Sequence, residues 1–247
     1  MPSVSRGLLI GNSRWHWAEQ DGAHWKFDHG PPDSARLTDG PHQRGLIWAA
    51  VGAIPVDADL EHRDRLTSAD VPLPGCPDWL GVDRVLGAWA AWQTSQLAGM
   101  DLSSGLLLAD AGTVLSLTLL NADGVFVGGQ LSPGLRLQLR SMDVGTESLV
   151  CPEVFPDLGD EPRERFPRDT ASAMVRGALQ AMAGAVRDAQ KRSGACLWIC
   201  GGDSIPLKRE LLDPGSSPIE TRVTTDPDLV LKGLVTWIET ISPERDR

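Results

Sequence analysis

Leu106-Leu107-Leu108-Ala109-Asp110-Ala111-Gly112-Thr113-Val114-Leu115 repeats the plan of Leu8-Leu9-Ile10-Gly11-Asn12-Ser13-Arg14-Trp15-His16-Trp17, about a hundred residues earlier in the chain. Each stretch is an apolar strand broken by a turn that holds a glycine and a small hydroxyl residue. A second strand then runs to a turn dipeptide, Asp21-Gly22 or Asp123-Gly124. Two hairpins of one design imply two related halves. Glycine lets the backbone approach an anion closely, and the neighbouring Ser or Thr adds an N–H and a hydroxyl donor. A pair of such turns facing each other can hold a polyphosphate.

Length and charge agree with that reading. A chain of 247 residues suits two lobes of ordinary size and buries a core without disulfides. Acidic residues outnumber basic ones, 33 to 23, for a formal charge of -10, which argues against nucleic acid as a partner. No apolar run reaches the ~20 residues of a membrane span, and the N-terminus has no signal-like segment, so no membrane is expected and a cytoplasmic location is. Cys76 and Cys151 stand alone in loops, while Cys196 and Cys200 share one face of an apolar strand. A zinc site would want tighter pairs or nearby histidines, so buried free thiols are expected. Nine Trp against no Tyr is unusual, and packing in strands and on helical faces accounts for most of them.

Outward from the two turns, the pattern gives a hairpin over residues 8–27, a Gly30-Pro31-Pro32 break and a strand over 45–51. Residues 57–70 are polar and partly helical, and a Pro-rich loop over 71–78 leads to Leu80-Gly81-Val82-Asp83-Arg84. Val85, Ala88, Trp89 and Trp92 then set a helix running to about Leu97. In the second half the hairpin leads into Gly128-Gly129-Gln130-Leu131-Ser132-Pro133-Gly134 and a helix. After a charged, Pro-rich loop over 151–168, Asp169 or Thr170 caps a long helix with the stripe Val175, Leu179, Met182 and Val186, closed by Lys191, Arg192 and Gly194. A strand over 197–200 ends in Gly201-Gly202-Asp203, and residues 228–238 form the last helix. The expectation is an α/β protein with a two-lobed, actin-like (ribonuclease-H-like) fold, duplicated βββαβα-type halves and a nucleotide cleft between them. The lobes divide at residues 1–104 and 105–247.

Seven motifs in order now point to a family. Gly11-Asn12-Ser13-Arg14, Gly81-Val82-Asp83-Arg84, Asp110-Ala111-Gly112-Thr113, Gly128-Gly129 with Pro133-Gly134, Asp169-Thr170, Gly201-Gly202-Asp203 and Pro227-Asp228-Leu229-Val230-Leu231-Lys232-Gly233-Leu234 together resemble type III pantothenate kinase. The resemblance covers nearly the whole chain. It implies ATP-dependent phosphorylation of pantothenate to 4'-phosphopantothenate, the first step towards coenzyme A, with Mg²⁺ carried by ATP.

A kinase acting on a hydroxyl must align ATP with the alcohol, offset charge on the moving phosphoryl group and often accept the alcohol proton. Asp83 is the candidate base, on a loop just before a helix whose N-terminus keeps it ionised. By resemblance it is the proton acceptor, and Gly81, Val82, Asp83 and Arg84 bind pantothenate; the bland reading makes Asp83 a helix cap. Arg84 can hold a carboxylate or a phosphate oxygen through paired hydrogen bonds, and the sequence leaves both open. Thr170 contacts pantothenate by resemblance, or simply caps its helix. The resemblance also assigns ATP to the first turn, Leu9, Ile10, Gly11, Asn12, Ser13, Arg14, Trp15 and His16, together with Thr113, Gly201 and Gly202. It gives Asp110 to a monovalent cation, K⁺ or NH₄⁺, and makes the protein a homodimer in which the long helix from Thr170 finds a partner surface.

Three positions depart from the family pattern. Leu9 stands where an Asp usually precedes the first glycine, and an aliphatic side chain cannot hold Mg²⁺ or its waters. Thr118 replaces a frequent Asp, and Pro74 a frequent Tyr. Two rival readings follow: a regulatory homologue that kept the fold and lost catalysis, and a kinase of the same fold acting on a sugar or another small alcohol. Asp83, Arg84, Asp110 and Thr170 argue against the first, and the segment from Gly81 to Arg84 gives the second no support.

Overall fold

A computed structural model describes residues 5–38, 45–56, 58, 60–153, 164–213, 219 and 222–241. The start of the polar stretch at Asp57 and the middle of the loop over 151–168 lie outside the described residues. In chain order the elements are β1 (Arg6–Ile10), β2 (Trp15–Asp21), β3 (His24–Gly30), α1 (Ala35–Thr38), β4 (Leu46–Ala50) and α2 (Val82–Leu97). There follow β5 (Leu106–Ala111), β6 (Val114–Leu120), β7 (Phe126–Pro133), α3 (Leu135–Gly145), α4 (Thr170–Ser193), β8 (Cys196–Cys200), α5 (Ser204–Leu211), β9 (Val223–Thr225) and α6 (Leu229–Ile241). Single 3₁₀ turns at His62–Asp64 and Ser68–Asp70 supply the partly helical character expected over 57–70.

By contact the chain forms two units. The first comprises Met1–Met100, Gly124–Phe126 and Asp228–Arg247, and the second Asp101–Asp123 and Val127–Pro227. This boundary falls close to residue 104, but the last helix groups with the first unit rather than with the second half of the chain.

In the first unit the strand order is β3-β2-β1-β4. β1 pairs antiparallel with β2 and parallel with β4, and β2 pairs antiparallel with β3. Alternation along β1 sends Leu8 and Ile10 into a cluster with Trp15, Trp17, Leu37 and Trp48. α2 and α6 pack on one another, and Leu234 and Ile238 of α6 are the groups nearest Gly7 of β1. Trp25 and Trp237 donate their indole N–H groups to Glu239 Oε1 and Asp70 O, both at 2.9 Å, fastening α6 at both faces.

The second unit repeats the plan and extends it, with order β7-β6-β5-β8-β9. β5 pairs antiparallel with β6 and parallel with β8. The ribonuclease-H-like arrangement expected from the two hairpins is therefore present in both units. Asp169 caps α4, accepting the Ser172 backbone N–H at 2.8 Å, and Gly194 ends the helix in the left-handed conformation behind Lys191 and Arg192.

The stripe Val175, Leu179, Met182 and Val186 is buried in this unit's own core against Leu107, Ala109, Leu117 and Leu197. The expectation that this helix needs an external partner surface is thus corrected: β5, β6 and β8 already cover it. Large apolar side chains are exposed elsewhere, at Val127 and Leu131 on β7 and at Leu137 and Val144 on α3. α5 and β9 were not expected from the sequence. Between α4 and α5 the buried Arg176 pairs with Glu210, and its Nη2 reaches Asp213 at 3.3 Å. All four cysteines are free thiols, with Cys196 and Cys200 buried.

Candidate active site

Both glycine turns are closed by the same device. In the first unit the chain leaving β4 donates the Val51 and Gly52 N–H groups to Ile10 O, at 2.9 and 3.0 Å. A Cβ on Gly52 would lie 2.1 Å from Gly11 O, so no larger residue fits. In the second unit the chain leaving β8 does likewise: Asp203 N–H donates to Ala111 O at 2.8 Å, and a Cβ on Gly201 would lie 2.6 Å from that oxygen. Gly201 also holds φ +86, which only glycine adopts at little cost. Sequence reasoning found Gly201 and missed Gly52. The duplication was the available signal, since a glycine after the parallel neighbour of β5 calls for one after the parallel neighbour of β1.

The segment from Gly81 to Arg84 joins the first of these turns. A Cβ on Gly81 would be 3.5 Å from Val51 Cγ1, so this segment lies against the residues that close the first glycine turn. Gly81 itself is the N-cap of α2, with extended φ −57, ψ 136. Asp83 therefore stands inside the first turn of the helix rather than on the loop before it, and it is not the cap.

Its carboxylate folds back over the helix start. Oδ1 accepts the Arg84 backbone N–H at 2.7 Å and lies 2.6 Å from the place a Gly81 Cβ would take. Burial pushes the Asp83 carboxyl above the usual range, outweighing the Arg84 N–H and the Arg84 charge, which pull it down. The helix N-terminus was expected to keep the group ionised; desolvation acts against that pull. A carboxyl displaced upward is closer to the working range of a general base. Arg84 is buried, and its charge reaches both Asp83 and Cys76, whose thiol burial raises.

In the second unit Asp110 Oδ1 lies 2.4 Å from where a Gly201 Cβ would be and 3.8 Å from that of Gly112. Asp110, Gly112, Thr113, Gly201 and Gly202 thus gather at one end of β5 and β8, where carboxylate and carbonyl oxygens offer the hard ligands a monovalent cation prefers. Thr170 is the first residue of α4 and is exposed, away from either glycine turn in the chain. At the first turn Leu9 is buried, so β1 supplies no carboxylate there for a divalent cation.

Comparison with known proteins decides the family. The model of the type III pantothenate kinase family matches residues 74–192. A type III pantothenate kinase of Synechococcus elongatus is 31% identical over 254 residues, covering 92% of this chain and 93% of its own. The chain belongs to the type III pantothenate kinase family. Another member, from Synechococcus sp. strain JA-3-3Ab, is 34% identical over 199 residues, 78% of this chain and 76% of its own. Among solved structures, a Baf family protein from Campylobacter jejuni superposes with TM-score 0.61 at 16% identity, covering 97% of this chain and 100% of its own. The activator of 2-hydroxyisocaproyl-CoA dehydratase from Clostridium difficile, with bound ADPNP, gives TM-score 0.52 at 12% identity and 98% coverage of both chains. Both place the fold among the actin-like proteins.

Proposed function

We propose that this chain transfers the γ-phosphoryl group of ATP to the primary hydroxyl of pantothenate, giving 4'-phosphopantothenate. Family membership supports the reaction. The observation that supports the residue assignment is the contact of Gly81 with Val51, one of the residues that close the first glycine turn, within the unit that also holds Asp83. In this reading Gly11, Asn12, Ser13, Thr113 and Gly202 hold ATP, whose phosphates carry Mg²⁺. Asp83, raised by burial, accepts the hydroxyl proton as the bond to phosphorus forms, and Arg84 binds the pantothenate carboxylate or a phosphate oxygen. Asp110 holds a K⁺ or NH₄⁺ ion, and Thr170 contacts pantothenate.

A cytoplasmic homodimer is part of the proposal. Among the described residues no helix is long and apolar enough to cross a membrane. Exposed Val127 and Leu131 share one face of β7 and give a second copy an apolar surface.

The test is release of ADP with pantothenate or a panel of sugars, with and without potassium, and identification of the product by mass. Phosphopantothenate formed only with pantothenate and stimulated by potassium is expected. Sugar phosphorylation in its place, or binding without turnover, overturns the reading in favour of the sugar kinase or the regulator.

A further inference from the structure

Leu9 leaves the first turn without an acid on β1, but the residues across the sheet from it are histidines. The register pairs Leu9 with His16, and His16 in turn with His29. Because Leu8 and Ile10 face the Trp15–Trp17 cluster, alternation puts Leu9, His16 and His29 in one row on the opposite face. In the second unit the corresponding rung holds Asp110 opposite Ser116. The second turn thus has its acid on the first strand, whereas the first turn has an aliphatic residue there and a polar group one strand across.

Hydrogen bonds order that row. His29 Nε2 is 2.8 Å from Asp228 Oδ1, and an ionised carboxylate only accepts, so this nitrogen carries a proton. In the neutral pair His29 Nδ1 is then a lone pair, and His16 Nδ1, 2.7 Å away, donates to it. His16 keeps its Nε2 lone pair unprotonated. That atom lies 3.1 Å from where a Gly11 Cβ would be, against the backbone of the phosphate turn.

We propose that His16 Nε2 is the protein's ligand to the divalent cation carried by ATP at the first turn, with His29 and Asp228 as positioning residues that hold its tautomer. This rests on the reading that ATP phosphates lie on that turn. Among the described residues no group of three His, Cys, Asp or Glu side chains could hold a metal alone. One imidazole suffices here because the nucleotide phosphates supply further ligands. A ligating histidine whose other nitrogen donates into a chain ending at a carboxylate is the usual supporting arrangement. Imidazole nitrogen suits Mn²⁺ and Co²⁺ better than Mg²⁺, so the site prefers the former with nucleotide bound.

The deciding measurement is pulsed electron paramagnetic resonance of Mn²⁺ with a non-hydrolysable ATP analogue on the protein. Direct nitrogen coupling to Mn²⁺ is expected, and it should change from the ¹⁴N to the ¹⁵N pattern when the protein, not the nucleotide, is labelled. His16→Gln should abolish it. His29→Gln and Asp228→Asn should weaken binding of the Mn²⁺ nucleotide by ~10–100-fold while leaving binding of the metal-free nucleotide unchanged. Absence of protein nitrogen coupling in the unaltered protein with nucleotide bound overturns the proposal, as does coupling that survives in His16→Gln. Equilibrium dialysis of the metal-free analogue separates the two levels. If no nucleotide binds, the kinase reading fails and the inference falls with it; if it binds without coupling, the inference alone fails.

Discussion

Gly201 and Gly202 are adjacent, and both are expected to face ATP, yet alanine at the two positions should behave very differently. A Cβ on Gly201 would lie 2.4 Å from Asp110 Oδ1 and 2.6 Å from Ala111 O, at a φ of +86. Holding alanine in that left-handed region costs about 1–2 kcal/mol. Pushing the Ala111 carbonyl aside also weakens its 2.8 Å bond from the Asp203 N–H, worth about 0.5–1.5 kcal/mol. Gly201→Ala should therefore lose about 2–3 kcal/mol of stability. A Cβ on Gly202 meets nothing within 4 Å and Gly202 is not among the positive-φ glycines, so Gly202→Ala should stay within about 0.5 kcal/mol of the unaltered protein. Equilibrium urea unfolding followed by tryptophan fluorescence measures both, with Trp198 on the neighbouring strand as a reporter. Equal losses at the two sites, or none at Gly201, would refute the view that the second turn is shaped by close packing of Gly201 on Asp110 and Ala111.

Asp83→Asn should keep the fold and lower turnover by ~10²–10⁴-fold. Because a base acts deprotonated and burial raises Asp83, kcat/KM of the unaltered enzyme should fall as pH drops through a value above the ordinary aspartate range, and the variant's profile should lack that limb. Unchanged turnover removes Asp83 from the mechanism. Asp110→Asn should shift the potassium titration of activity more than the KM for pantothenate; an unaltered titration counts against the cation role. Glu210→Ala leaves Arg176 buried without its main partner and should cost about 3–5 kcal/mol in urea unfolding, whereas Arg176→Met with Glu210→Leu should recover most of it. If the double variant is as unstable as the single one, the loss at Glu210 is one of packing.

The duplicated turns, α2 and α4 were legible because each announces itself locally: glycine and hydroxyl after an apolar run, or apolar residues at helical spacing with Asp169 and Gly194 at the ends. α5 was not, because its eight residues carry Pro206 within the first turn and follow directly on a glycine turn. β9 has three residues and takes its strand character from pairing with β8, a tertiary event. The position of Asp83 hinged on Gly81 serving as cap, which no side-chain pattern marks. The row from Leu9 to His29 depends on the register of two turns, and a slip of one residue would turn His16 to the opposite face. Its last member, Asp228, is 199 residues from His29 in sequence, beyond the reach of any local pattern.

α6 gives the order of synthesis a structural meaning. The second unit is written almost continuously along the chain, so a growing polypeptide has it complete while the first unit still lacks a helix. Until residues 228–241 emerge, β1 at Gly7 and the facing side of α2 have no cover, and His29 has no carboxylate to orient it. A nascent chain halted before Asp228 would hold both glycine turns in sequence but only one of them in finished surroundings.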